Sequence, residues 1–178
     1  MIIHKQYRRC NMKKFITLAV LWLVIATSLC GCFRGIMFIP SNDSIGEPKQ
    51  FTKDGMTITL TDEFQERPSE LGFDAYYTSD FCGVVVLKEP FTLEEGLKDR
   101  SLETYIQNVI INNGHTDVKP VNIDGLWYYK STSDTSCNYS YTYKGSDAFW
   151  IVQFICRPSD EALYKDLFYL WAETVEIP

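Results

Sequence analysis

CNYSYTYKGSDAFWIVQFIC, residues 137–156, is the stretch that decides the fold of this chain. Two runs rich in aromatic and β-branched residues, 137–144 and 149–157, flank a turn at Gly145-Ser146. Such runs on either side of a short turn that contains glycine are typical of a β-hairpin. We therefore expect a long antiparallel pair of strands near the end of the chain.

The two faces of this hairpin would differ in chemistry, because successive side chains of a strand point to opposite faces. A two-residue turn would place Tyr143 opposite Ala148 and Tyr139 opposite Val152. One face would then carry Cys137, Tyr139, Tyr141, Tyr143, Trp150, Val152, Phe154 and Cys156. Cys137 and Cys156 would lie diagonal to each other on that face, which makes a disulfide between them possible.

The aromatic members of that face allow two interpretations. Tyr139, Tyr141, Tyr143 and Trp150 could form a binding surface on which sugars or a partner peptide stack. Alternatively, they pack beneath a helix while the tyrosine hydroxyls reach the rim of the core. The second arrangement is the ordinary one for tyrosines on a half-buried sheet.

Three more hairpins are predicted upstream from turn residues between alternating apolar runs. Their turns are Lys53-Asp54-Gly55, Ser79-Asp80 and Asp124-Gly125. Residues 84–87 form a continuous apolar run, which is typical of a strand that is covered on both faces.

Two helices complete the pattern. Ser101 can cap the first, whose apolar residues recur at helical spacing until Asn113-Gly114 ends it. The second starts at residues 158–161 and carries two adjacent apolar stripes. These stripes are Leu163, Leu167, Leu170 and Thr174 on one line, and Tyr164, Phe168, Trp171 and Val175 on the next. So wide an apolar surface predicts a sheet beneath this helix.

A secretion signal precedes the predicted domain. Residues 15–29 carry no charge and follow Lys13 and Lys14, which is the pattern of a signal peptide. A helix of fifteen residues spans only about 22 Å, less than the ~30 Å hydrocarbon core of a membrane. The true start is either Met1 or Met12, and this choice does not affect the mature protein.

The end of that segment, Leu29-Cys30-Gly31-Cys32, resembles the bacterial lipobox. In this motif the last cysteine carries a diacylglycerol through a thioether, so Cys32 is the expected acceptor. The alternatives are an ordinary signal peptide or an uncleaved anchor. We expect a signal peptide at 1–31, a lipidated tether at 32–49 and one domain at 50–178.

Charge narrows the range of partners. Five of the 17 basic residues and none of the 23 acidic ones lie in the predicted signal peptide. The mature chain therefore has 12 basic against 23 acidic residues, a net charge of −11. This balance argues against nucleic acid or an anionic membrane surface as partners, because both attract positive charge.

Reactive residues are few in the predicted domain. Cys82, Cys137 and Cys156 are an odd count without CxxC spacing, which indicates neither a disulfide framework nor a zinc site. His115 could serve as the base of a cysteine nucleophile. Acidic residues, namely Asp74, Asp80, Glu89, Glu94 and Glu95, lack the ligand spacing of a calcium loop. We expect no catalytic residues, no metal and no cofactor.

The order of elements resembles the PsbP-like fold, of the PsbP and Ran-binding Mog type, which small lipoproteins of Gram-positive bacteria also carry. The similarity runs through 51–177, and its features are residues 51–60, 101–105, 121–125 and 171–175. It implies an α+β domain in which an antiparallel sheet packs between helices, in a family known for docking onto other proteins. The lipobox is foreign to the plant and eukaryotic members.

Together these observations predict a membrane-anchored extracytoplasmic lipoprotein at the outer face of a Gram-positive cytoplasmic membrane. Its domain would bind a protein or envelope ligand without catalysis. The alternative is a thiol-dependent or hydrolytic enzyme of the cell envelope.

Overall fold

The computed structural model describes residues 46–69, 72–115 and 117–178, all within the compact unit Ile39–Pro178. The predicted signal peptide, Cys32 and most of the predicted tether lie outside the described residues. Within them, no helix is both long and apolar enough to cross a membrane.

The described residues form nine strands and two α-helices. The strands are β1 Pro48–Lys53, β2 Met56–Thr61, β3 Gln65–Glu66, β4 Ala75–Thr78, β5 Cys82–Pro90, β6 Val121–Ile123, β7 Leu126–Thr132, β8 Cys137–Lys144 and β9 Ala148–Cys156. The helices are α1 Leu102–Asn112 and α2 Glu161–Glu173. Short 3-10 turns occupy Phe91–Leu93, Leu97–Asp99 and Pro158–Asp160.

Seven strands build one antiparallel sheet in the order β3-β4-β5-β9-β8-β7-β6, while β1 and β2 pair separately. The centre of the large sheet is β9, and each of its nine residues is buried. On one side of the sheet lies α1, and on the other lie α2 and the β1–β2 hairpin. This arrangement confirms the predicted α+β class.

The predicted turns at Asp54-Gly55 and Asp124-Gly125 are confirmed. Both residues of each pair have positive φ, with 50° and 89° in the first turn and 50° and 93° in the second. Two consecutive positive φ values define the type I′ turn, which matches the twist of antiparallel strands and favours Asp-Gly.

The register of the β8–β9 hairpin differs from the predicted one by two residues. Tyr143 lies opposite Trp150, and Tyr139 lies opposite Phe154. The predicted two-residue turn was wrong, because four residues, 145–148, separate the last β8–β9 pair of Lys144 and Phe149, and the Gly145 amide donates to the Ala148 carbonyl at 2.9 Å. Ala148 belongs to β9 through its pairing with Pro90 of β5. A shift of two keeps every side chain on its predicted face.

The first helix begins and ends where the sequence predicted. Ser101 accepts a hydrogen bond from the Thr104 amide at 3.1 Å, and Gly114 has a φ of 75° just after the helix. On the inner side of α1, Tyr105, Ile106 and Ile110 pack against the sheet.

Only one of the two apolar stripes of α2 is core. Phe168 is 0% exposed and Trp171 is 9% exposed, whereas Leu163 and Leu170 are 52% and 54% exposed. The sheet expected beneath this helix is present, but the two stripes contact it unequally. A helix that lies on a sheet buries a stripe somewhat over 100° wide, and that stripe is filled here by the aromatic line.

The last residues of the chain return to the N-terminal hairpin. Thr57 and Glu176 form a bridge with backbone hydrogen bonds of 2.8 and 3.0 Å. The Thr59 amide donates to Thr174 Oγ1 at 2.9 Å. At the tip of the β8–β9 hairpin, the Ser146 amide donates to the Pro178 carbonyl at 2.8 Å.

Candidate functional site

Three cysteines lie in a row across three neighbouring strands at one end of the large sheet. Cys156 of β9 is directly opposite Cys82 of β5 on one side and directly opposite Cys137 of β8 on the other. All three are buried and free, so the disulfide considered for Cys137 and Cys156 is not formed in the structure. We call these three residues the thiol row.

The antiparallel pairing explains why the row forms. Cys82 and Cys137 are the first residues of their strands and Cys156 is the last of its strand, so all three occupy the same end of the sheet. Their side chains point to the α2 face, in the same core cluster as Phe168. We call this end of the sheet the cysteine end.

Hydroxyl groups flank both outer thiols. Ser79 Oγ lies 3.4 Å from Cys82 Sγ and also accepts a hydrogen bond from the Cys82 amide at 3.2 Å. On the other side, Thr132 Oγ1 donates to Cys137 Sγ at 3.8 Å. The loop residue Ser79 and the last residue of β7, Thr132, therefore contact the outer cysteines at the strand ends.

Burial suppresses ionisation of the row. Loss of hydration raises the pKa of Cys82 and of Cys156 to about 12, and it also raises the pKa of Cys137. Because the thiolate is the nucleophile, thiols with such pKa values are almost wholly protonated and weakly reactive at neutral pH.

A charged cluster lies beside the row, where α2 begins. Glu161 Oε1 accepts hydrogen bonds from Lys130 Nζ and from the Tyr139 hydroxyl, each at 2.6 Å. The hydrogen bond with Lys130 is the main cause that lowers the pKa of Glu161, and the same bond raises the pKa of Lys130. This cluster ties β7 and β8 to the first turn of α2.

The four aromatic residues considered as a binding surface are buried. Tyr139, Tyr141, Tyr143 and Trp150 are 8%, 2%, 9% and 0% exposed. Tyr139 packs against the Phe168 ring, and the Tyr143 hydroxyl donates to the Ala172 carbonyl at 2.8 Å. The prediction that these four residues form an exposed binding surface is therefore wrong. They form a packed layer beneath α2, which is the alternative that the sequence also allowed.

His115 does not meet the thiol row. Its ring centroid lies 6.1 Å from that of Tyr129, which packs with α1 on the opposite face of the sheet. Burial lowers the pKa of His115. The structure thus brings the three cysteines together and separates them from the histidine that could have activated one of them.

The acidic residues do not assemble either. Among residues 46–69, 72–115 and 117–178, no group of three or more His, Cys, Asp or Glu side chains is arranged to hold a metal ion. Asp74 instead accepts a hydrogen bond from the Lys88 amide at 2.6 Å, and Glu94 pairs with Arg100.

Sequence reasoning missed two parts of this region. The contact between Cys82 and Cys156 needs β5 beside β9, a pairing between strands far apart in sequence that no local pattern encodes. Lys130 and Glu161 were not singled out, because the two residues meet only where α2 packs beside β7.

Fold and side-chain geometry together describe an antiparallel sheet between helices, with its thiols and most of its aromatic rings inside. No protein-family model matches the sequence, and a search of curated proteins found no match.

A comparison with solved structures does find a similar fold. The solution structure of cyanobacterial PsbP (CyanoP) from Synechocystis sp. PCC 6803 matches with a TM-score of 0.54 and 10% sequence identity. The match covers 81% of this chain and 100% of that chain. The predicted PsbP-like fold is thereby confirmed.

Proposed function

We propose that this protein is a lipid-anchored extracytoplasmic lipoprotein whose PsbP-like domain binds a protein or envelope partner without catalysing a reaction. The observation that carries the proposal is a lipobox, Leu29-Cys30-Gly31-Cys32, ahead of a domain with the PsbP-like fold. The separation of His115 from the thiol row supports a binding role over a thiol-dependent enzyme, because a cysteine nucleophile needs a base within hydrogen-bond reach.

The anchor is a diacylglycerol on the sulfur of Cys32, and it holds the protein at the outer face of a Gram-positive cytoplasmic membrane. The tether runs from 32 to 47, because β1 begins at Pro48. A flexible chain of 16 residues has a root-mean-square reach of roughly 20–24 Å. The domain therefore stays close to the membrane surface.

The place where the chain enters the domain supports an orientation. The Glu47 carbonyl accepts a hydrogen bond from the Asp62 amide at 2.8 Å, just after β2 ends. The other end of the β1–β2 hairpin, the turn at Gly55, lies beside Pro178 at the tip of the β8–β9 hairpin, so the open end where Pro48 pairs with Thr61 is directed toward the cysteine end. The tether thus joins the domain at the cysteine end, and this end faces the membrane.

The opposite end of the domain then faces outward and meets the partner. It holds the Asp54-Gly55 turn, the 145–148 loop and the 3-10 turn Phe91–Leu93, in which Leu93 is 57% exposed. The Phe91 amide donates to the Asp147 carbonyl at 2.8 Å, which joins two of these segments. We call this region the outer end.

Charge supports the kind of partner. The net charge of −11 repels anionic headgroups and attracts a basic protein segment or a cationic component of the cell wall. This attraction weakens as salt rises, because the Debye length falls from about 10 Å at 0.1 M to about 3 Å at 1 M.

Metabolic labelling with a lipid precursor tests the anchor. We expect Cys32→Ala to abolish labelling and lipoprotein-type cleavage. The matched control is Cys30→Ala, which removes the neighbouring thiol but leaves a small residue where the motif accepts one, so labelling should persist. Labelling that survives Cys32→Ala contradicts the anchor.

Photo-crosslinking in intact cells tests the binding role and the orientation. A photoreactive residue replaces Thr92 at the outer end or, as the matched control, Thr135 at the cysteine end, since both threonines are exposed. We expect a discrete adduct from position 92 that is lost at high salt. Adducts only from position 135 contradict the orientation, and the absence of adducts from both positions contradicts the binding role. In a separate assay, turnover of a small substrate by the purified protein contradicts the non-catalytic role.

A further inference from the structure

We propose that the thiol row is a disulfide site with one shared member: Cys156 forms a disulfide with either Cys82 or Cys137, and never with both at once. The inference goes beyond the proposed function and does not depend on the lipid anchor. It rests on the register of three adjacent strands, β5, β9 and β8.

The register satisfies the distance requirement for both pairs. Residues directly opposite each other on antiparallel strands have Cα atoms about 4.5 or 5.5 Å apart. Disulfides join Cα atoms that are about 4.4–6.8 Å apart. Cys156 therefore reaches Cys82 on one side and Cys137 on the other without a change in strand pairing.

The third pairing is excluded by the same geometry. Cys82 and Cys137 lie on either side of β9, and two strand spacings of about 4.8 Å separate them by roughly 9.6 Å. This separation exceeds the limit of about 7 Å beyond which two cysteines cannot be bridged without backbone movement. Because one sulfur makes one disulfide, oxidation leaves one of the outer thiols free.

The oxidant is a small-molecule or protein disulfide, and its supply in the cell rests on the extracytoplasmic location of the proposed function. During folding, before burial raises the pKa of the thiols, one thiolate of the reacting pair attacks a sulfur of the oxidant, forming a mixed disulfide and releasing one thiolate. The second thiolate then attacks the protein sulfur of that mixed disulfide and releases the other. The protein pair loses two electrons and two protons, and the oxidant gains both as two thiols.

The leftover thiol gives the site a second property. It faces Cys156 across one strand spacing, so as a thiolate it can attack the Cys156 sulfur and displace the first partner. No oxidant is consumed, and the disulfide moves from one edge of β9 to the other. The two disulfides close loops of different length, since Cys82 precedes Cys156 by 74 residues and Cys137 precedes it by 19.

Peptide mapping of the full chain tests the proposal. The protein is unfolded, refolded in a buffer of reduced and oxidised glutathione, alkylated and digested with trypsin. The sequence places Cys82, Cys137 and Cys156 on three different tryptic peptides, 54–88, 131–144 and 145–165. We expect 145–165 linked to 54–88 or to 131–144, and no link between 54–88 and 131–144.

Serine variants provide the matched controls. Cys82→Ser and Cys137→Ser should each retain one disulfide that contains Cys156, and Cys156→Ser should lose every disulfide within the domain. Circular dichroism checks that each variant folds. A disulfide between Cys82 and Cys137 in folded Cys156→Ser, a link between 54–88 and 131–144 in the wild type, or no disulfide that contains Cys156 after refolding in glutathione overturns the proposal.

Discussion

The two faces of the large sheet are both buried, but they are built differently. Under α2, aromatic rings form one connected layer. The ring centroid of Phe168 lies 5.2 Å from that of Phe154, 5.8 Å from that of Tyr139 and 5.9 Å from that of Trp171. Under α1 the apolar contacts divide into two smaller clusters, one around Tyr105 and one around Ile106.

Polar residues account for part of the difference. Ser140, Thr142 and Gln153 are buried on the α1 face of β8 and β9. The same two strands carry the aromatic layer on their other face. Alternation along a strand thus lets one hairpin supply an aromatic layer and a mixed layer at once. We infer that the α2 face provides most of the stability.

Removing the centre of the aromatic layer tests this comparison most strongly. We expect Phe168→Ala to lower the free energy of unfolding by about 3–5 kcal/mol, because a buried ring is replaced by a cavity. Urea unfolding measures the change. The control Leu163→Ala lies on the exposed stripe of α2 and should stay within about 0.5 kcal/mol. Similar losses for both variants would contradict the burial pattern.

The N-terminal caps of the two helices differ, and removing the cap of α1 should lower the stability by a smaller amount. Ser101 caps α1, whereas the residue before α2, Asp160, makes no side-chain capping bond and instead accepts a hydrogen bond from Arg157 at 2.6 Å. Ser101→Ala should cost about 0.5–2 kcal/mol in thermal unfolding. Ser101→Asn, which retains a capping oxygen, should recover most of the loss.

Two carboxyl groups on the two faces should show opposite dependence on pH. Hydrogen bonds from Lys130 and Tyr139 lower the pKa of Glu161 in the folded state. Ionised Glu161 therefore stabilises the fold above pH 4.5, and this stabilisation is lost as the pH falls through the folded-state pKa. Burial raises the pKa of Glu89 on the α1 face, so the folded state loses stability as the pH rises from 4.5 through the folded-state value.

Glutamine at each position should expose this contrast. Glu161→Gln is expected to destabilise the protein at pH 7 by up to about 1 kcal/mol, whereas Glu89→Gln should stabilise it slightly. Both changes should shrink toward zero in unfolding measured near pH 4 and below. The same sign for both variants at pH 7 would show that the two environments do not differ as described.

The sequence predicted most of the fold because its strongest signals are local. Asp124-Gly125 fixes a turn within two residues, and Ser101 and Gly114 mark the two ends of one helix. What it could not predict depends on contacts between distant segments. The register of β8 and β9 depends on the length of the loop that joins them, whose tip contacts Pro178, and the thiol row requires β5 beside β9.

The candidate site was less predictable than the fold for the same reason. The sequence allowed Tyr141 and Trp150 to form a binding surface, although packing beneath a helix was the more ordinary arrangement, and the position of α2 decides between the two. Glu161 acquires its role only where α2 meets β7 and β8.

The position of β9 has a consequence for the order of folding. The central strand of the large sheet is also the last to be synthesised among the described residues, since β3, β4 and β5 lie on one side of it and β8, β7 and β6 lie on the other. Until residues 148–156 are available, two half-sheets expose unpaired edges, the kind of surface on which chains aggregate. The large sheet therefore cannot close until β9 has been made, and a truncation before Ala148 would leave an aggregation-prone fragment rather than a smaller domain.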